Sequence, residues 1–267
     1  MSLLPSSQPD ALWLNVSPAL QKFDRLLLNQ LAQHAAIAHW QYCQSQDEAV
    51  SLEIALMLLH DYLKQGDRPL HLLGHGISGA LALLYARRHP ERVRSLTLLS
   101  VGVYPLVDWQ AHYYSRFLTL PCGRETVLAQ MVPTLFGRQS WQMTQDLIQF
   151  LEKDLHNSLS PHTLYQRASL FPGGVPVPLL VCGGAEDPII DPNALNGWQP
   201  WLKDGDFFSK DETGWTPPGD RLWSCPGGRY FFHYHFPQLT AEQIMRFWQS
   251  FSHATLQNTA LETLSSS

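Results

Sequence analysis

The chain has 267 residues, 45% hydrophobic and 15% charged, enough apolar surface for one large packed domain and too much for the disordered class. Its 18 Lys plus Arg against 23 Asp plus Glu give a formal charge of -5, a balance that repels a phosphate backbone and argues against nucleic acid as a partner. Cys43, Cys122, Cys182 and Cys225 lie far apart and form no CxxC pair, so neither a zinc site nor a disulfide framework is expected, and a reducing, cytoplasmic compartment fits.

Residues 1–10, MSLLPSSQPD, have no basic region and no long apolar stretch, and read as a short loose tail rather than a secretion signal. No segment approaches the roughly 18 uninterrupted apolar residues of a membrane span, so a soluble protein without a transmembrane segment is expected. In chain order, Ala11–Val16 reads as a strand, and Ala19–His34 as a helix on the spacing of Leu20, Phe23, Leu27 and Leu31. Ala35–Cys43 reads as a strand. Asp47–Lys64 reads as a helix through Leu52, Leu56, Leu59 and Leu63, with Ser45 and Asp47 as caps. Pro69–Gly74 is the next strand, followed by a helix over Ser78–His89, strands over Val93–Val101, Val177–Cys182 and Arg221–Cys225, and a closing helix over Thr240–Phe251. This alternation predicts an α/β fold with a mostly parallel twisted sheet and helices on both faces.

The alternation stops between Tyr104 and Pro172. That stretch holds helical pieces such as Gln139–Asn157 and aromatics including Tyr104, Trp109, Tyr113, Tyr114, Phe117 and Trp141. A structureless loop of that length is improbable inside a compact domain, so 104–172 is expected to be an inserted helical lid. Residues 196–220 carry Trp198, Trp201, Phe207, Phe208 and Trp215 among Asp, Gly and Pro, and read as a loop pinned by aromatics. Residues 254–267 are polar and are expected to fray.

The most specific segment is Leu70–Leu99, LHLLGHGISGALALLYARRHPERVRSLTLL. Its order of strand, glycine-rich turn, helix, "YARRHPERV" and strand resembles the α/β-hydrolase superfamily. There a G-x-S-x-G turn holds a nucleophilic serine at its tip, and the following helix points its N-terminus at the reacting oxygen. At the tip this chain reads Gly74-His75-Gly76-Ile77-Ser78, which places Gly76 at the nucleophile position. A rival register, Gly76-Ile77-Ser78-Gly79-Ala80, would make Ser78 the nucleophile. The resemblance implies a histidine thirteen positions after the tip; His89 stands thirteen after Gly76 but eleven after Ser78. Shifting a helix by two residues turns it by about 200°, which favours Gly76. Glycine relieves the strain that a side chain bears at such a tip, as expected where covalent chemistry is no longer performed.

The resemblance extends to Val177–Asp191, VPLLVCGGAEDPIID, where Asp187 matches the acid that orients the catalytic histidine; a turn bond before Pro188 is its plain structural role. The histidine expected after "P-G-G" or "P-G-x-G" falls on Arg229 or, in the longer spacing, on Tyr230, and neither serves as a base near neutrality. His233 and His235 are displaced candidates for it; as an H-x-H pair they lack a third metal ligand, so no metal or cofactor is expected. After the first strand, Asn15-Val16-Ser17-Pro18 stands where the family carries His-Gly, so the oxyanion motif departs too.

These departures imply a catalytically degenerate member that binds a small ligand, anionic or acyl, or a protein partner at the former active site. The amides of Ile77 and Ser78 with the Arg229 guanidinium would hold a carboxylate or phosphate, unless Arg229 pairs with Asp187 instead. The alternative is an active hydrolase or thioesterase-like enzyme using Ser78, His233 or His235, and Asp187. A third reading is a scaffold presenting an aromatic patch between Trp198 and Trp215.

Overall fold

A computed structural model describes residues 8–44, 50–163, 168–203 and 219–250. Its centre is a six-stranded sheet of β1 (Ala11–Asn15), β2 (Ile37–Gln41), β3 (Leu70–His75), β4 (Val93–Leu99), β5 (Leu179–Gly184) and β6 (Arg221–Cys225), in the order β2-β1-β3-β4-β5-β6. Every neighbouring pair is parallel. The inner strands are therefore covered on both faces, and β1, β3 and β5 are buried along nearly their whole length.

Side chains alternate between the faces. Leu12, Leu14, Leu72, Leu96 and Val181 enter one core cluster with α2 (Leu52–Leu63) and α3 (Ile77–Arg88). Trp13, Leu73, Leu99 and Cys182 enter the other, with Leu27 and Leu31 of α1 (Arg25–Leu31) and Ile244 and Phe247 of a final helix over 237–250. Between β4 and β5 the chain forms α4 (Trp109–Thr119), α5 (Arg124–Phe136) and α6 (Trp141–Asn157), with no strand among the described residues. Two short helices follow, α7 (Pro192–Asn196) and α8 (Phe232–His235); the helix over 237–250 is α9.

Several boundaries differ from expectation. The helix expected over Ala19–His34 is two pieces, a 3-10 segment over Pro18–Phe23 and then α1. The change of pitch falls at Asp24, whose carboxylate is drawn inward to the Trp13 indole and His233. Ser45 and Asp47 lie outside the described residues; the cap of α2 is Ser51, whose hydroxyl accepts from the Ile54 N–H at 3.3 Å. Residues 8–10 are held by Arg68, which donates to the carbonyls of Gln8 and Pro9 and to Asp10. Residues 1–7 and 251–267, with most of both expected tails, lie outside the description, as do Phe207, Phe208 and Trp215. Trp198 is no part of an exposed patch: it is fully buried, its indole N–H bonded to the Val101 carbonyl.

The topology singles out one place. The chain leaves β1 for β2 on one side and returns to β3 on the other, so a crevice opens beyond the carboxyl ends of β1 and β3, where open α/β sheets place their ligands. Asn15 to Ser17 and His75 to Gly76 meet there.

Candidate functional site

The bend after β3 is built by glycines for two separate reasons. At Gly74 a Cβ would lie 2.6 Å from the Gly79 nitrogen, so α3 could not approach the strand that closely. Gly76 has φ 52° and ψ -125°, in the left-handed half of the map that residues with a side chain occupy only at a cost. Its N–H donates to the Leu99 carbonyl and its own carbonyl accepts from Ala80 at the start of α3. The bend therefore has the sharp strand-to-helix form expected at 74–78, with Gly76 at its tip.

What stands against that tip is Tyr230. A Cβ built on Gly76 would collide with the Tyr230 hydroxyl. Tyr230 is delivered by the turn after β6, which packs on the turn after β5. Glu186 donates its N–H to the Gly228 carbonyl at 2.8 Å and Ala185 to that of Cys225 at 2.9 Å. The Tyr230 carbonyl is gripped by the His75 Nε2 at 2.9 Å and the Ser100 hydroxyl at 2.7 Å. Burial, and then the Asp108 and Asp187 carboxyls, push the phenol well above 10, so it stays neutral.

Asp187 is buried within the same pair of turns. One carboxyl oxygen accepts from the Ile189 N–H at 2.8 Å. The other, Oδ2, has no partner among the described residues. Burial raises its pKa to about 7, against the lowering effect of the Ile189 and Ile190 N–H groups and of Arg229. The Arg229 guanidinium makes its ion pair with Glu186, at 3.8 Å, and passes over Gly137. It does not line the cavity at the bend, although Ile77 and Ser78 do.

Ser78 is buried, and its hydroxyl accepts the Val16 N–H at 3.0 Å. Val16 follows β1, and its N–H is thereby satisfied within the chain. His233 has no exposed surface and shares a 3.0 Å bond with Asp24, whose other oxygen takes the Trp13 indole N–H. Burial lowers His233 to about 3 and raises Asp24 to about 7, so burial disfavours the charged form of both. A general base should titrate near the working pH, and burial moves His233 away from it. His235 is exposed on α8, its pKa lowered by desolvation.

The crevice itself is almost closed. Trp13, Asn15, Asp24, His75, Trp109 and Tyr230 are among the walls of a cavity of about 20 Å³, room for a single water. Neither the closing role of Tyr230 and Trp109 nor the capture of the Val16 N–H by Ser78 was read from the sequence. A buried Tyr where the base is expected was the one available signal.

Comparison with known proteins places this geometry. No protein-family model matches the chain. It is 49% identical over 247 residues to Uncharacterized protein sll0249 of Synechocystis sp., covering 92% of both. It is 39% identical over 244 residues to Uncharacterized protein alr2406 of Nostoc sp., covering 91% of this chain and 92% of that one. The chain belongs to the family of these two cyanobacterial proteins. Among solved structures, a bacterial membrane phospholipase A superposes with a TM-score of 0.65 at 16% identity, covering 91% of this chain and 79% of that one. The naproxen esterase of Bacillus subtilis gives 0.64 at 15%, covering 91% and 85%. The fold is the α/β-hydrolase fold, as the Leu70–Leu99 segment leads one to expect. Among the described residues, no helix is long and apolar enough to cross a membrane.

Proposed function

We propose that this chain is a hydrolytically silent member of the α/β-hydrolase fold that acts by binding. The observation that carries the reading is the Tyr230 hydroxyl against the tip of the bend, in the space a nucleophile's side chain would need. Three further facts support it. Asp187 keeps an unpartnered oxygen where a histidine N–H would be served, the Val16 N–H is occupied by Ser78, and the cavity of about 20 Å³ admits no ester. In this reading 104–172 is a lid whose Asp108 and Trp109 stand in the cavity wall. The cysteines are unbonded, including Cys182 and Cys225 on neighbouring strands, which suits a reducing cytoplasm. Binding of a small molecule or a protein partner then falls to surfaces outside the closed crevice.

A fluorophosphonate probe applied to the full chain is the test, because it labels only an activated serine. No labelling is expected. Labelling abolished by Ser78→Ala would overturn the reading in favour of an active hydrolase.

A further inference from the structure

The turn Pro18–Phe23 has two faces. Leu20 and Phe23 point into the core, whereas Ala19 and Lys22 line an open groove of about 450 Å³ with Arg25, Leu28, His39 and Phe150. The groove has the size of a small-molecule site. Its walls bring together four separate segments: the 3-10 turn, α1, the edge strand β2 and α6.

Its chemistry is one-sided. Lys22, Arg25 and His39 all face it, and no carboxylate lines it. Among the described residues neither Lys22 nor Arg25 forms an ion pair. The Lys22 ammonium lies 3.2 Å from the centroid of the Phe150 ring and 4.9 Å from that of Phe23, a cation on aromatic faces and partly stripped of water. Asp146 acts on Lys22 only through space, and Asp24 is buried behind the turn. Leu28, Ala19 and the Phe150 ring supply an apolar floor beside these cations. Arg25 offers a planar fork that suits carboxylate and phosphate alike.

We propose that this groove binds a single-chain amphiphilic anion, its carboxylate or phosphate held by Lys22, Arg25 and His39 and its apolar chain laid on Ala19, Leu28 and Phe150. The site is separate from the bend and does not depend on whether the bend is silent. Both determinants are needed at once: charge alone describes any basic patch, and an apolar floor alone describes any groove.

Isothermal titration of the full chain separates these cases, with four probes: octanoate, octyl phosphate, inorganic phosphate and the uncharged octyl glucoside. At least one of the first two is expected to bind at least tenfold more tightly than inorganic phosphate and octyl glucoside, and the tighter one identifies the head group. The exposed pair Lys22→Gln/Arg25→Gln is expected to lose at least tenfold of that affinity with its thermal midpoint unchanged, and Arg25→Lys less. Equal binding of octyl glucoside, equal binding of inorganic phosphate, binding unaltered in the double variant, or no binding by any probe would each overturn the assignment. Hydrolytic silence at the bend is read by the fluorophosphonate test and would stand or fall separately.

Discussion

Two hollows flank the turn that follows β1, and they differ in every property that matters for a ligand. The inner one, at the switch point of the sheet, holds about 20 Å³ and is walled by polar groups that mostly serve one another. The outer one holds about 450 Å³ and presents Lys22 and Arg25, which form no ion pair among the described residues. In this fold the inner position is where chemistry is ordinarily done. Polar groups in its wall are spent on internal bonds: Ser78 on the Val16 N–H, His75 on the Tyr230 carbonyl, Trp13 on Asp24. A crevice filled by its own side chains has become part of the core, and variants there should behave as core variants do.

The largest effect should come from restoring the missing side chain. Gly76→Ser must adopt a positive φ, at a cost of about 1–3 kcal/mol. It must also displace the Tyr230 hydroxyl, with a similar penalty of about 1–3 kcal/mol for overpacking. Urea unfolding should show a loss on the order of 4 kcal/mol and no fluorophosphonate labelling. The double variant Gly76→Ser/Tyr230→His removes the obstruction and sets an imidazole in the same pair of turns as Asp187. It should recover about half of that loss and label slowly. A single variant as stable as the parent would show that Tyr230 does not fill the nucleophile's place.

Asp187 should give the next effect, with a pH signature. Its carboxyl ionises near pH 7 in the folded chain against 3.8 as the ordinary value, so the stability it contributes is complete below about pH 4 and is lost as pH rises toward 7. Asp187→Asn removes that loss. The variant should match the parent at pH 4 and exceed it above pH 7 by on the order of 2–4 kcal/mol, the worth of a shift of that size. Thermal denaturation across this range checks it; a gain that is flat with pH would mean the carboxylate is not strained by burial.

Ser78→Ala should cost less, about 1–3 kcal/mol, the penalty for leaving the buried Val16 N–H without its acceptor. The variant should also leave any background ester turnover unaltered. Loss of turnover would instead place Ser78 in catalysis.

How far the sequence carries these conclusions depends on how local each feature is. The strand, bend and helix over 70–88 are contiguous, and glycines at 74 and 79 are demanded by their close mutual approach and Gly76 by its positive φ, so the bend can be read directly. Asp187 sits in a turn whose form its neighbours dictate. Tyr230 is different. Its approach to Gly76 depends on two turns packing across β5 and β6, and no local pattern encodes it. The same holds for the outer groove, assembled from Lys22, Arg25, His39 and Phe150 on elements distant in sequence. The break of the helix at Asp24 also escapes a periodicity reading, because Leu20, Phe23, Leu27 and Leu31 keep their spacing through it while the carboxylate turns inward to Trp13 and His233. The helices between β4 and β5 fall between these cases. Ser140 and Asp108 cap α6 and α4 visibly, but that Trp109 closes the crevice is tertiary information.

The smallest expected effect is at Arg229. If it had filled the vacated site as the counter-charge of Asp187, its removal would expose a buried carboxylate, an event worth about 3–5 kcal/mol. Its ion pair is instead with Glu186, at 3.8 Å and on the exposed side of the turn, where such pairs contribute about 0–1 kcal/mol. Arg229→Gln should therefore shift the unfolding free energy by less than about 1 kcal/mol at pH 7, less still in high salt, which screens exposed charges. Burial raises Asp187 to about 7, so at that pH a large share of it is protonated and only the ionised share feels the guanidinium. A loss of several kcal/mol in Arg229→Gln, abolished when Asp187→Asn is added, would show that the cation belongs to the inner hollow after all.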